Sequence, residues 1–188
     1  MHVIYLHGFC SSALSFKAQL VKEYVEDREE HSIFLVDLPH VPAQAMYIVE
    51  AHIRTLGDEP WSLVGSSLGG YYATYLAEKY NKKAVLINPA VRSYSLLEPL
   101  LGDNTNYHSQ QTFELTVEHL EQLKVLYAAT LKAPKNLLLL TKTGDEVLNF
   151  QDGVDYYEGA TQVVIQGGDH GFDDYADYLD VTFKHLME

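Results

Sequence analysis

Several residue types that mark common protein classes are scarce in this chain. Cysteine occurs once among the 188 residues, at Cys10. An internal disulfide therefore cannot form, and a thiolate-rich metal site is excluded. A single cysteine is in keeping with a reducing compartment, so we predict a cytoplasmic protein.

Basic residues are also few. Lys and Arg total 13 against 26 Asp and Glu, the formal net charge is −13, and only three residues are Arg. Nucleic-acid binding needs cations that neutralise phosphates. We therefore expect no nucleic-acid partner, and an anionic membrane surface is disfavoured for the same reason.

Long apolar runs are absent. No stretch approaches the roughly 18 apolar residues of a membrane-spanning helix. The start, MHVIYLHGF, has neither the basic region nor the apolar region of a signal peptide. The length predicts one domain over residues 1–188, with no membrane span.

Short runs rich in Val, Ile and Leu alternate with amphipathic stretches. The runs lie at 3–6, 33–36, 61–64, 84–87, 137–140 and 162–165, and the helix-like stretches near 15–26, 43–56, 68–80 and 175–187. The runs do not alternate apolar with polar residues, which is typical of strands buried on both faces. The pattern predicts an α/β fold with a doubly wound, mostly parallel sheet of about six strands. If the strand order is 2-1-3-4-5-6, strands 1 and 3 are neighbours and a crevice opens at their C-terminal ends.

The segment 89–135 interrupts this rhythm and shows no clear strand. Residues 116–131 look helical, whereas the polar region around 102–111 is predicted to be a loop. Long excursions from a strand end often cover a site. We predict a short helical lid insertion at 89–135, the alternative being a solvent-facing insertion that only packs on the sheet.

The pentapeptide GSSLG at 65–69 has the form G-x-S-x-G and stands between an apolar strand and a helix. This context places a serine on a sharp strand-to-helix turn with its hydroxyl exposed. Backbone N–H groups at the start of the following helix can stabilise negative charge. We predict Ser67 as a nucleophile.

A serine nucleophile needs a base. His170 lies in QGGDHGF at 166–172, a glycine-rich loop directly after the last apolar strand, which can carry an imidazole over the strand ends. His40 and His108 also lie in loops and are weaker candidates. The other histidines lie beside strands or in helices and are interpreted as solvated or structural.

The base in turn needs an orienting carboxylate. Asp145 follows the strand at 137–140, and the order Ser67, Asp145, His170 is the one expected for this fold. Glu146 and Asp169 are the alternatives. The longer Glu146 side chain would need another backbone placement, and Asp169 is adjacent to His170, so their side chains tend to diverge.

The loop after the first strand, His7-Gly8-Phe9, is predicted to face the serine turn across the crevice between strands 1 and 3. The backbone N–H groups of Phe9 and Leu68 are then the expected oxyanion donors. His7 is interpreted as structural, with a contact to substrate or lid as the alternative. Cys10 is a weaker candidate nucleophile, because it does not lie on a sharp strand-to-helix turn that would present its thiol.

Four segments together resemble one family. They are HGF at 7–9, GSSLGG at 65–70, NPAVR at 88–92 and GDHGF at 168–172, and they look like the small bacterial YqiA-like esterases of the α/β-hydrolase superfamily. The resemblance covers nearly the whole chain. It implies a minimal α/β-hydrolase fold, a cytoplasmic carboxylic ester hydrolase, the triad Ser67, Asp145 and His170, and no cofactor. Arg92 could contact an acidic group of the substrate or anchor the lid.

The expected activity is hydrolysis of a small-molecule ester through an acyl-enzyme. An acyl-CoA thioesterase with the same triad, cleavage of an amide or C–C bond, and a non-catalytic binding protein of this fold remain alternatives. No metal site is predicted, because the His and acidic residues do not cluster with ligand spacing. The natural substrate and the oligomeric state are not predicted.

Overall fold

A computed structural model describes the whole chain from Met1 to Glu188. The strands are β1 (His2–Leu6), β2 (Ser32–Leu35), β3 (Trp61–Ser66), β4 (Ala84–Ile87), β5 (Gly102–Thr105), β6 (Thr112–Leu115), β7 (Leu137–Lys142) and β8 (Thr161–Ile165). The helices are α1 (Phe16–Glu26), α2 (Pro42–Leu56), α3 (Leu68–Tyr80), α4 (Ser93–Leu96), α5 (Val117–Val125), α6 (Phe150–Tyr156) and α7 (Leu179–Met187). None of the helices has both the length and the apolar character needed to cross a bilayer.

Six strands form one parallel sheet, which confirms the predicted fold class, and their order β2-β1-β3-β4-β7-β8 is the one that the expected crevice requires. Because β1 lies between β2 and β3, the winding of the chain reverses at this point. A crevice therefore opens at the C-terminal ends of β1 and β3. The loop that follows β1 and the turn that follows β3 meet there.

Helices cover both faces of the sheet. Along β1, Ile4 and Leu6 pack into a cluster with α2 and α3, whereas Val3 and Tyr5 pack into a second cluster with α1 and α7. These four side chains are almost completely buried. Burial on both faces explains why the strands have no apolar–polar alternation. Each fully buried aliphatic side chain contributes roughly 1.5–3 kcal/mol relative to exposure.

The insertion at 89–135 differs from its prediction, because it contains a β-hairpin as well as helices. The region predicted as a loop belongs to the antiparallel pair β5–β6, in which Gly102 faces Leu115 and Thr105 faces Thr112. These strands, GDNT and TFEL, are polar and largely exposed, so they lack the apolar run by which the sheet strands were found. The predicted helix at 116–131 ends at Val125.

Two further elements were missed or altered. Helix α6 had no counterpart in the sequence prediction, because its short sequence FQDGVDY includes Gly and two Asp, which are weak helix formers. The side chain of Asn149 caps this helix by accepting a hydrogen bond from the Gln151 N–H at 3.1 Å. The last predicted helix begins as a 3₁₀ turn at Tyr175–Tyr178, which precedes α7.

Stability is expected to fall at mildly acidic pH, because burial lowers the pKa of five histidines: His2, His7, His40, His52 and His185. Each therefore takes up a proton at a lower pH in the fold than in the unfolded chain, where histidine titrates near 6.5. The unfolded state therefore binds more protons below about pH 6.5, and the free energy of unfolding decreases as the pH falls through this range. Urea unfolding followed by circular dichroism at pH 7.5, 6.5 and 5.5 measures the effect.

The His2–His52 pair provides the matched variant for this prediction. Their Nε2 atoms lie 2.8 Å apart, so at least one ring must be neutral for a hydrogen bond to form. After burial, the charge of His52 is the next largest cause of the lowered pKa of His2. His2→Gln should reduce the loss of stability between pH 7.5 and 5.5. An unchanged pH dependence would show that this pair does not contribute.

Candidate active site

The turn between β3 and α3 presents the predicted nucleophile. Ser67 has φ 55° and ψ −118°, a left-handed conformation that is strained for a residue with a side chain. The turn is possible because two glycines allow backbone segments to touch. A Cβ on Gly65 would lie 2.2 Å from the Gly69 carbonyl oxygen, and one on Gly69 would lie 1.9 Å from the Leu6 carbonyl oxygen. The elbow thus packs directly against β1.

The three residues predicted as a triad lie together at the C-terminal edge of the sheet. Ser67 Oγ is 3.1 Å from His170 Nε2, and His170 Nδ1 is 2.8 Å from Asp145 Oδ2. Because a carboxylate only accepts hydrogen bonds, Nδ1 carries the proton and neutral His170 has Nε2 free to accept the serine hydroxyl proton. The arrangement can therefore activate the hydroxyl of Ser67 as a nucleophile.

Asp145 is fixed by the backbone that follows it. Its Oδ1 accepts hydrogen bonds from the N–H groups of Val147 at 2.9 Å and Leu148 at 2.8 Å, which leaves Oδ2 for His170. The Asp145 side chain is only 2% exposed, and that of His170 is 22% exposed. The carboxylate is thus held in a protected position, while the imidazole remains accessible.

Glu146 and Asp169, the alternative acidic residues, accept hydrogen bonds from the backbone of the loop that carries His170. Glu146 Oε2 accepts a hydrogen bond from the His170 N–H at 3.0 Å, and this bond is the main reason that the pKa of Glu146 is lowered. Asp169 Oδ1 accepts from the Phe172 N–H at 2.8 Å. Neither forms a hydrogen bond with the His170 ring. The alternative base His40 stacks on Phe113 and makes no hydrogen bond to Ser67.

The loop after β1 lies against the nucleophile. A Cβ on Gly8 would be 3.2 Å from Ser67 Cβ and 3.7 Å from Ser67 Oγ. Phe9 follows in this loop, and Leu68 is the first residue of α3, where a backbone N–H has no partner within its own helix. Both residues line the same cavity beside the elbow. Their predicted role as oxyanion donors stays a prediction.

His7 is held by the backbone through both ring nitrogens. Its Nε2 accepts a hydrogen bond from the Leu38 N–H at 2.8 Å, and its Nδ1 lies 2.9 Å from the Gly8 carbonyl oxygen. The residue is buried, and burial lowers the pKa of its imidazole. His7 therefore ties the loops after β1 and β2 together. Its polar atoms are occupied, which leaves none for a substrate.

Arg92 begins the insertion but does not anchor it. The side chain is exposed and forms no ion pair or hydrogen bond with the rest of the protein. It borders a small cavity of about 220 Å³, together with Pro89, Leu148 and Asp152. A contact between Arg92 and the substrate stays a prediction.

The hairpin β5–β6 is attached to the loop after β1. The N–H of Tyr107 donates to the Cys10 carbonyl at 2.8 Å, and Asn106 Nδ2 donates to the Ser11 carbonyl at 2.7 Å. The ring of Phe113 meets that of Phe9 edge to face, with centroids 5.7 Å apart. The hairpin thus forms one wall of a cavity of about 590 Å³ next to the elbow.

Comparison with known families places the chain. A family model described as Uncharacterised protein family (UPF0227) matches residues 2–187. The chain belongs to this family. The resemblance to YqiA-like proteins that its motifs predicted is thereby confirmed. The match leaves out only the first and last residues, so the fold and the elbow described above all lie within the UPF0227 region.

Solved structures share the α/β-hydrolase fold with this UPF0227 protein. Mouse alpha/beta hydrolase domain-containing protein 10 has a TM-score of 0.75 and 19% identity, over 99% of this chain and 89% of its own. A monoacylglycerol lipase from Paleococcus ferrophilus has a TM-score of 0.73 and 16% identity, over 99% and 94%. Est1E from Butyrivibrio proteoclasticus, with ferulic acid bound, has a TM-score of 0.70 and 14% identity, over 99% and 86%.

Asn88 supports the candidate active site, a role that the sequence did not predict. Its Nδ2 donates to the carbonyls of Asp169 at 3.1 Å and His170 at 3.3 Å, and its Oδ1 accepts from the Lys142 N–H at 2.9 Å. The residue is buried and has φ 39°, which asparagine tolerates better than most residues. It links the end of β4 to β7 and to the histidine loop. Its only sequence signal was its place in the NPAVR segment.

Lys142 was also missed, because buried lysines are rare. Its ammonium pairs with Asp174 Oδ2 at 2.5 Å and lies 4.7 Å from the centre of the Phe172 ring. A Cβ on Gly168 would be 2.6 Å from Lys142 Cδ, so the glycine-rich loop rests on the lysine stem. Lys142 therefore supports the loop that carries His170 from below.

Asn88→Asp is expected to lower kcat for an ester substrate by about 10²-fold with little change in KM, because misplacing a catalytic group by about 1 Å can cost this much. The carboxylate keeps the acceptor for Lys142 but loses the two donated hydrogen bonds and repels the carbonyls of Asp169 and His170. Steady-state kinetics measure the change. Asn136→Asp, the same change at a half-buried residue that precedes the opposite end of β7, should leave kcat near the wild-type value.

Proposed function

We propose that the protein is a serine carboxylic ester hydrolase that forms an acyl-enzyme on Ser67. The observation that carries the proposal is the continuous hydrogen-bond chain from Ser67 Oγ through His170 to Asp145 Oδ2, at 3.1 and 2.8 Å. The chain order of serine, aspartate and histidine is the one used by α/β hydrolases. The fold shared with Est1E and with a monoacylglycerol lipase supports an ester as the substrate class.

Acylation begins with the serine hydroxyl. Ser67 Oγ attacks the carbonyl carbon of the ester while its proton passes to His170 Nε2, and Asp145 stabilises the imidazolium that forms. The N–H groups of Phe9 and Leu68 bind the negative charge on the carbonyl oxygen. The C–O bond to the alcohol then breaks. The alcohol leaves with the proton from Nε2, and the acyl group remains on Ser67.

Deacylation repeats the same steps with water. His170 Nε2 takes a proton from the water molecule, whose oxygen attacks the acyl carbon of the ester on Ser67. The same two N–H groups hold the oxyanion. The bond to Oγ breaks, Oγ recovers its proton from the imidazolium, and the carboxylic acid is released. Each turnover therefore converts one ester and one water into one acid and one alcohol.

Hydrolysis of p-nitrophenyl esters from acetate to palmitate tests the proposal. The purified protein should release p-nitrophenol faster than buffer for at least the shorter esters. A matched thioester measured beside the acetate compares C–O with C–S cleavage. If a folded protein turned over no ester and no thioester, the proposal would be wrong, and a reaction at another bond or a binding role would be favoured.

A further inference from the structure

The large cavity beside Ser67 has walls from five parts of the chain. They are the loop after β1, the loop after β2, the first half of α2, the start of α3, and the hairpin β5–β6. Its volume of about 590 Å³ lies within the range of small-molecule sites. Gly8, Phe9 and Leu68 line it, whereas Ser67 and His170 do not, so the cavity adjoins the nucleophile on the side of the predicted oxyanion donors.

Six polar side chains around this cavity have no hydrogen-bond partner within the protein. Three of them are Ser11, Tyr72 and Thr112, and the other three are exposed to solvent: His40 on the loop after β2, Gln44 on α2, and Gln111 next to β6. Other polar groups at the cavity are already engaged, such as Asn106, which bonds to the Ser11 carbonyl. Three free donor–acceptor groups from three separate elements therefore converge on one space. A bound ligand with hydroxyl groups would satisfy them.

The charges at the cavity disfavour an anionic ligand. No lysine or arginine lines it, and its one carboxylate is Asp37, whose Oδ1 accepts the Ala13 N–H at 2.7 Å. Burial lowers the pKa of both lining histidines, His7 and His40, so both are neutral near pH 7. A phosphate or carboxylate would find no cation here, whereas the hydroxyl groups of a neutral ligand could donate to Asp37.

Three aromatic rings, with the aliphatic side chains of Leu38, Ile48 and Leu68, supply the apolar part of the lining. Phe113 stacks on His40 with centroids 4.5 Å apart and meets Phe9 edge to face, and Tyr72 lies on α3 at the same cavity. Flat aromatic walls suit the face of another ring. A flexible alkyl chain would instead cover the three free polar groups without satisfying them, which is unfavourable.

We propose that this cavity is the subsite for an uncharged, hydroxyl-bearing ring of the ester substrate, held by Gln44, His40 and Gln111. The inference rests on the proposed ester hydrolysis and names the substrate class for that site. A sugar ring and a phenolic ring share this chemistry, so the test has one arm for each.

Matched ester pairs measure the preference. The sugar arm compares 6-O-acetylglucose with cyclohexylmethyl acetate, and the phenol arm compares methyl 4-hydroxycinnamate with methyl cinnamate. In at least one arm, kcat/KM of the wild type should be at least about tenfold higher for the hydroxylated ester. Gln44→Leu or Gln111→Leu should bring that ratio towards one by lowering kcat/KM for the hydroxylated ester more than for its partner. Gln151→Leu, an exposed change on α6, should preserve the ratio.

The outcomes separate this inference from the proposed function. If p-nitrophenyl acetate is hydrolysed but neither pair is discriminated, or if both variants slow both members equally, the subsite assignment is wrong and the esterase assignment stands. If no ester is hydrolysed, binding of the same four esters to Ser67→Ala by saturation-transfer NMR decides. Stronger binding of the hydroxylated members, lost on adding Gln44→Leu, supports the subsite, and equal binding overturns it.

Discussion

Ser67→Ala is expected to lower kcat for p-nitrophenyl acetate by about 10⁴-fold or more, because no other group can form the acyl-enzyme. The hydroxyl is the atom to which His170 Nε2 is hydrogen-bonded, at 3.1 Å. The substitution removes one oxygen at the elbow and adds no atoms. The backbone can keep its conformation and its packing contacts, so the fold should persist. Initial rates at several substrate concentrations, with circular dichroism as the check on folding, measure the effect.

Thr55→Ala is the matched control for this variant. It also removes one hydroxyl, but from the exposed face of α2, where Thr55 Oγ1 bonds only to the His52 carbonyl. Its kcat should equal that of the wild type. A Ser67→Ala protein that retained wild-type turnover would show that the hydrolysis uses another nucleophile.

Asp145→Asn is expected to lower kcat by about 10⁴-fold, because an amide does not hold the imidazole in the required tautomer. In the wild type, Asp145 Oδ2 accepts a hydrogen bond from His170 Nδ1, at 2.8 Å. An amide NH₂ at this place would donate to Nδ1 and put the ring proton on Nε2, where it can no longer accept the proton of Ser67. The backbone bonds from Val147 and Leu148 to Oδ1 can persist on the amide oxygen.

Two readouts together identify this effect. Steady-state kinetics give the fall in kcat, and proton NMR of the wild type should show a downfield Nδ1–H resonance that is absent from the variant. Asp155→Asn removes a carboxylate from the exposed surface of α6 and should change neither. Loss of activity with the resonance intact would mean that Asp145 does not orient His170.

The parallel sheet could be predicted because its strands are short, apolar and separated by amphipathic helices. Local pattern was enough there, since strands such as β4 and β7 are buried on both faces. The alternation of strand and helix indicated a parallel sheet, but the order β2-β1-β3-β4-β7-β8 is only one of the orders compatible with it. The elbow at Ser67 was equally local, because a G-x-S-x-G turn has its own sequence signature.

The hairpin and α6 could not be predicted in the same way. Strands β5 and β6 are polar, pair only with each other, and depend on distant contacts such as that of Tyr107 with the loop after β1. Asp145 and His170 were placed from chain order and loop position. Asn88 and Lys142 support the loop that carries His170 through contacts that are distant in the sequence. Asn88 bonds to Asp169, 81 residues away, and Lys142 pairs with Asp174, 32 residues away, and no local pattern encodes such contacts.

Covalent labelling with a fluorophosphonate, read by intact mass and peptide mapping, tests the central claim most directly, because this reagent reacts with an activated serine whatever the natural substrate. The protein should gain one adduct, located on Ser67. Ser67→Ala should gain none, and Asp145→Asn should react far more slowly. A folded wild-type protein that gained no adduct, or gained it on a residue other than Ser67, would contradict the account.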